Sequence, residues 1–327
     1  MNRSRVPPPV TRVLDAASTW LPRRMGEVEQ RLATLVASHG ERLGGEASAT
    51  LSAGGKRLRP MLVLLCAGPD GDEGAVRAAT AVELVHMASL VHDDVLDAAP
   101  LRRGRPTVVA RSGRGAATAV GDLLFSRAFA ELAGGPPGGD RRVRLLAAAA
   151  LGLAKGELTQ RADAFNAEIS AERYLDRCRL KTARLFECAC LIGGEPDGDA
   201  REALATFGRE IGLAFQLLDD VLDVAGPPER TGKARGTDLL DGTATLPLIL
   251  ARARDPRLAA LDLRRLNADT AARACDQIAA TGVLDEVRAD ARRRVESAKA
   301  VLAGAPMDEE RRELLTLVAD GVVERYS

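Results

Sequence analysis

The chain has 327 residues and balances 46 lysines and arginines against 46 aspartates and glutamates. Zero formal charge argues against a general nucleic-acid binder, which carries a basic excess. A hydrophobic share of 46% argues against a disordered charged tail. Aromatics are only 3%, while alanine and leucine dominate, a balance that favours helices over strands.

The N-terminus, MNRSRVPPPV, lacks the apolar run of a secretory signal. Pro7-Pro8-Pro9 marks an extended arm, so residues 1–20 are expected to be flexible and 21–327 to form a single all-α domain. Five cysteines (Cys66, Cys178, Cys188, Cys190 and Cys275) read as small buried hydrophobes in a reducing compartment. With three histidines, a histidine-rich metal site is nearly excluded. No apolar stretch approaches the roughly 20 residues that span a bilayer. A cytoplasmic protein without a transmembrane segment is expected, with peripheral membrane contact left open.

Apolar positions at three- and four-residue spacing predict helices over Val76–Asp97, Ala116–Leu132, Arg142–Gln160, Ala171–Ile192 and Arg201–Val224. Shorter helices follow around Leu246–Arg252, Ala271–Thr281, Leu284–Leu302 and Glu309–Arg325. Glycine- and proline-rich breaks separate them at 68–72, 134–139 and 193–196. The polar stretch Gly226–Gly242 reads as a functional loop rather than a hinge. Strand signals are absent.

Two helices are apolar almost all round, Ala81–Val91 and Ile211–Leu218, which places them at the centre of a bundle. Each runs into aspartates: Asp93-Asp94-Val95-Leu96-Asp97 and Asp219-Asp220-Val221-Leu222-Asp223. On a helix, Asp93 shares a face with Asp97, and Asp219 with Asp223. A single such pair is ordinarily a solvated surface. Two copies at the ends of buried helices are different, because crowded carboxylates repel and are costly to desolvate. Oxygen-only donors without cysteine or histidine favour Mg²⁺ over zinc. Basic residues supply a counterpart. Gly54-Gly55-Lys56-Arg57-Leu58-Arg59-Pro60 is a dense basic turn, and Leu101-Arg102-Arg103-Gly104-Arg105-Pro106-Thr107 follows the first cluster. Lys181-Thr182 and Lys233 flank the second. Singly each reads as surface charge; together they make two diphosphate-binding sets, one metal-assisted and one cationic.

These motifs closely resemble the trans-isoprenyl diphosphate synthases, or polyprenyl synthetases. GGKRLRP, HDDVLD with LRRGRPT, KTA, FQLLDDVLD and GK…GTDL…TLP occur in the family's order from about Gly54 to the C-terminus. The resemblance implies an all-α, isoprenoid-synthase-type helical bundle around a deep central cavity, usually homodimeric. It implies Mg²⁺ held by Asp93, Asp97 and Asp219, with Asp94, Asp220 and Asp223 completing the catalytic clusters. Lys56, Arg59, His86 and Arg103 would hold isopentenyl diphosphate. Arg102, Lys181, Thr182, Gln216 and Lys233 would hold the allylic diphosphate, with Lys181 also counted as catalytic. Helix geometry independently places His86 two turns before Asp93 and Gln216 one turn before Asp220.

The chemistry implied is ionisation of the allylic C–O bond, attack by the alkene of isopentenyl diphosphate, and proton loss to the departing diphosphate. Two positions depart from the family pattern. Pro100 stands where an acid is usual, and Thr243 where lysine is usual, which predicts reduced but not absent activity. Residues four and five before Asp93, Ser89 and Ala88, form the first gate for the growing chain, since one turn rises about 5.4 Å, close to one isoprene unit. Both are small, so a long-chain polyprenyl product is expected, with residues on the Ala116–Leu132 helix as candidates for a lower block. The nearest alternative is a geranylgeranyl diphosphate synthase. A class I terpene cyclase normally lacks the isopentenyl-binding set, and a non-catalytic subunit would be expected to have lost one aspartate cluster.

Overall fold

The computed structural model describes residues 8–38, 44–52, 55, 57–102, 104–135, 139–194, 196–226 and 235–324. At its centre lies α5 (Glu73–Leu96). Asp72 starts this helix by accepting the Ala75 N–H at 3.0 Å. Nearly every side is apolar, and full burial of Leu84, Val85 and Val91 contributes roughly 1.5–3 kcal/mol each. The few polar groups inside are satisfied. The Thr80 hydroxyl donates to the Val76 carbonyl at 2.8 Å, and Glu83 accepts from Arg57 at 2.6 Å. Among the described residues, α5 is the one helix long and apolar enough to cross a membrane, but 83% of its apolar window is buried inside the protein.

Around α5 pack α2 (Leu21–Ala37), α3 (Gly45–Ser52), α4 (Leu58–Ala67) and α6 (Val108–Ala133). The Thr107 hydroxyl caps α6 by accepting the Ala110 N–H. Then come α7 (Asp140–Ala162), α8 (Ala171–Cys178), α9 (Arg184–Ile192) and α10 (Gly198–Ala225). Helix α10 is held between α9 and the Val283–Ala303 helix. The bundle is therefore all-α, with both aspartate clusters at helix C-terminal ends.

Four local features differ from expectation. Residues from Pro8 to Ala16 form a helix, α1, instead of an extended arm. Proline suits the first turn of a helix, where its missing N–H has no partner to lose. Val10, Val13 and Leu14 then bury against the C-terminal helix Glu309–Glu324. The expected helix Ala171–Ile192 is interrupted by a π-helical turn, Arg179–Ala183, and this turn carries Lys181 and Thr182. Such turns widen the helix and often mark functional sites. Helix α6 begins eight residues earlier than its apolar periodicity suggests, because it continues across a kink at Gly113 (φ 81°). Lastly, Leu101–Arg102 and Arg105–Pro106 pair as a minimal antiparallel ribbon. Gly104 supplies the positive φ of 73° between them. Strands of two residues leave no periodic signal.

Candidate active site

The two aspartate clusters face each other across a cleft of about 260 Å³. Asp93, Asp97, Asp219 and Asp220 line it, together with Arg59, His86, Ser89, Arg102, Lys181, Thr182 and Gln216. Thus residues spread from position 59 to 220 meet at one place. Lys56, Arg103 and Lys233 lie outside the described residues.

The clusters divide their labour. Asp93 and Asp97 come from the last turn of α5. Burial pushes the Asp93 carboxyl up to about 6, against the pull of the nearby Lys181 ammonium. Asp97 accepts from Arg161 Nη2 at 2.5 Å. Asp94 is buried and turned away to accept from Arg102 Nε at 2.7 Å. In the second cluster, Asp219 is exposed to the cleft, whereas Asp220 is buried. Asp220 Oδ2 accepts from the Tyr174 hydroxyl at 2.5 Å and Oδ1 from Gln216 Nε2 at 2.7 Å. Gln216 Oε1 in turn accepts from the Thr182 hydroxyl at 2.7 Å. Asp220 thereby orients Gln216 and Thr182. Asp223 accepts the N–H groups of Thr237 and Asp238 at 3.1 and 3.3 Å, pinning the helical turn Thr237–Leu240 inside the long loop.

The cations are arranged with equal economy. Lys181 Nζ lies 2.5 Å from Glu157 Oε2 and 3.3 Å from Gln160 Oε1. Burial works to strip its proton, but Asp93 and Glu157 outweigh that and hold it above the usual lysine range. Helix α7 meets the π-turn at Gly156, where a Cβ would stand 2.6 Å from the Lys181 backbone nitrogen. Arg59 projects from the first turn of α4 with its guanidinium 4.4 Å above the Phe186 ring. Desolvation lowers it to about 10, and its Nε has no partner among the described residues. Neighbouring Arg57 holds the left-handed turn (φ 49°) that precedes α4, gripping Glu29 and Glu83, each at 2.6 Å.

Sequence reasoning missed several groups. Glu157 and Arg161 reach the site from α7, and Tyr174 and Arg177 from α8. Asp238 and Asp241 line the cleft from the loop. Of these, Asp238 carried a signal in the GTDL motif. The apolar lining of the cleft includes Leu153 of α7, Leu185 of α9 and Phe215 of α10. Among the described residues no side chain of α6, which packs on α5, lines the cleft. Ser89 faces the cleft, while Ala88 is fully buried and outside its lining.

The donors suit a hard divalent cation. Asp93, Asp97 and Asp219 offer only oxygen, and a carboxyl held near 6 by desolvation gains from a cation beside it. Among the described residues no three such side chains already converge on one point. Mg²⁺ takes one or two carboxylates and completes its shell with water and phosphate oxygens.

An all-α bundle whose acidic helix ends meet basic side chains in one cleft suits a protein that binds a diphosphate with a divalent cation. The family model for polyprenyl synthetase matches residues 41–279, and the chain belongs to that family. The chain is similar to heptaprenyl diphosphate synthase component 2 of Geobacillus stearothermophilus, with 38% identity over 91% of this chain and 95% of the relative. It is also similar to geranylfarnesyl diphosphate synthase of Aeropyrum pernix, with 35% identity over 87% and 95%. Among solved structures, the polyprenyl synthase of Caulobacter crescentus, complexed with calcium and isoprenyl diphosphate, superimposes with a TM-score of 0.89. That match has 35% identity and covers 97% of this chain and 98% of the other. The protein is accordingly a prenyltransferase.

Proposed function

We propose that this prenyltransferase condenses isopentenyl diphosphate with an allylic diphosphate to give a long-chain all-trans polyprenyl diphosphate, in the cytoplasm and with Mg²⁺ as cofactor. The observation that carries this reading is the cleft itself, where Asp93, Asp97, Asp219 and Asp220 meet Arg59, Arg102 and Lys181. Asp93, Asp97 and Asp219 would hold the metal, which when bound neutralises charge on the leaving diphosphate. Lys181, Arg102 and Thr182 grip the same diphosphate and stabilise the charge that develops as the allylic C–O bond breaks. Leu153, Leu185 and Phe215 keep water from the allylic cation. Arg59 and His86 hold isopentenyl diphosphate beside it, so that its alkene attacks carbon 1. The proton lost afterwards goes to the released diphosphate, since the motifs offer no dedicated base. Small Ser89 at the upper gate favours a long tail.

The chain is proposed to act as a homodimer. Along α7, Ala147, Leu151, Ala154 and Leu158 form an exposed apolar stripe, with Leu158 70% exposed. A stripe of that kind suits burial against a second copy. Charged replacements, Leu151→Asp with Leu158→Asp, should yield a monomer in analytical ultracentrifugation; an unchanged sedimentation coefficient would remove this face from the interface.

Similarity to a protein named as component 2 favours one further reading, that turnover needs a second polypeptide. Prenyl transfer by the purified chain alone, abolished by a chelator and by Asp93→Ala, is the expected result. A chain inert until a second polypeptide is added would establish the other reading.

A further inference from the structure

Buried arginines are normally neutralised by a carboxylate, because taking a guanidinium out of water is costly without one. Arg177, on the last turn of α8, is 3% exposed and lines the cleft. Among the described residues it has no carboxylate within ion-pair distance. Its Nη2 donates to the Ala244 carbonyl at 2.7 Å, and the guanidinium lies 5.4 Å from the Tyr174 ring centroid. Neither partner carries a formal negative charge. Among the described residues Arg59 likewise makes no ion pair, whereas Lys181 is matched by Glu157 and Arg102 by Asp94.

Position gives this unmatched charge a purpose. Arg177 precedes Lys181 by four residues, so the chain returns toward the same face one turn later. Through Ala244 it is tied to the Thr243–Thr245 segment, whose two threonines also line the cleft. Its side chain therefore stands between the Lys181–Thr182 pair and the loop that closes the second aspartate cluster.

We propose that Arg177 is a further binding residue for the allylic diphosphate, its guanidinium taking phosphate oxygens in the bidentate manner that lysine cannot. It supplies from α8 the positive charge that Thr243 does not supply from the loop. This assignment rests on the prenyl-transfer reading and refines one of its two diphosphate sites.

The test uses the full-length protein and Mg²⁺ with inorganic diphosphate as probe, followed by calorimetry. Arg177→Gln retains a donor for the Ala244 carbonyl but removes the charge. It should weaken diphosphate binding about 10- to 100-fold, the range of a charge-assisted hydrogen bond. The KM for farnesyl diphosphate should rise in parallel, while that for isopentenyl diphosphate changes less than about twofold, within the spread of an indirect effect. Adding Thr243→Lys to Arg177→Gln should restore much of the lost affinity, which a residue that merely pins the loop would not allow. Arg177→Lys, which keeps the charge and the fold, should fall between. Undiminished diphosphate binding in Arg177→Gln, or equal loss for both substrates without rescue by Thr243→Lys, would overturn the proposal. A wild-type protein that binds diphosphate but transfers no prenyl group would instead refute the parent reading.

Discussion

Arg57 offers the sharpest test of how the site is held. Arg57 is 7% exposed, and its partner Glu83 is 3% exposed. The pair is joined at 2.6 Å, and a second arm reaches Glu29. Arg57→Met leaves Glu83 buried without its principal counter-charge, a change that costs about 3–5 kcal/mol. With about 2.1 cal/mol/K of unfolding entropy per residue, a chain of 327 residues carries roughly 0.7 kcal/mol/K, so Tm should fall by about 4–7 °C. The loss should depend on pH. Burial already holds Glu83 above the usual carboxylate range, with Arg57 and Arg59 pulling it down and Glu29 pushing it up. Removing Arg57 raises it further. An acid whose pKa is raised by folding costs stability above that pKa and returns it as pH falls through it. The deficit should therefore be largest near pH 8 and narrow toward pH 6. The double variant Arg57→Met/Glu83→Leu should recover most of the loss at both values. Melting followed by circular dichroism reads all three effects, and the KM for isopentenyl diphosphate should rise because Arg59 leaves the same turn. A deficit independent of pH, or a double variant no more stable than the single one, would refute the reasoning.

Other expectations follow from the same geometry. Ser89→Phe should shorten the product, because Ser89 faces the cleft with its hydroxyl folded back on the His86 carbonyl at 2.8 Å; an unchanged product length by mass spectrometry would remove Ser89 as the gate. Gly156→Ala should lower turnover by displacing the π-turn that carries Lys181, given the 2.6 Å approach there, and wild-type turnover would contradict that. Asp93, held near 6, costs the metal-free protein at most about 3 kcal/mol above that pH and progressively less below it. Mg²⁺ should accordingly raise Tm more at pH 7.5 than at pH 5.5; equal shifts would place the cation elsewhere.

How far the sequence could be read depended on the kind of signal. Helices α5 and α10 were legible because each carries a long apolar run that ends in aspartates. His86 and Gln216 could be placed because the family resemblance named them and helical spacing, two turns before Asp93 and one before Asp220, agreed. The π-turn at Arg179–Ala183 was invisible, since its register depends on the close approach of α7 at Gly156. Glu157, Arg161, Tyr174 and Arg177 escaped notice for a related reason. Each is an ordinary helical residue until tertiary packing brings its side chain to Lys181, Asp97, Asp220 or Ala244. The aspartate clusters looked uniform along the chain, yet Asp220 is bound by Tyr174 and Gln216 and Asp94 by Arg102, while Asp93 and Asp219 line the cleft.

The most direct test of the central claim is product analysis. Purified protein is incubated with Mg²⁺, isopentenyl diphosphate and, in turn, dimethylallyl, geranyl, farnesyl or geranylgeranyl diphosphate, and the products are read by mass spectrometry. The account predicts a ladder that converges on one long polyprenyl diphosphate and disappears with a chelator. A stop at geranylgeranyl diphosphate, or no elongation from any primer, would contradict it.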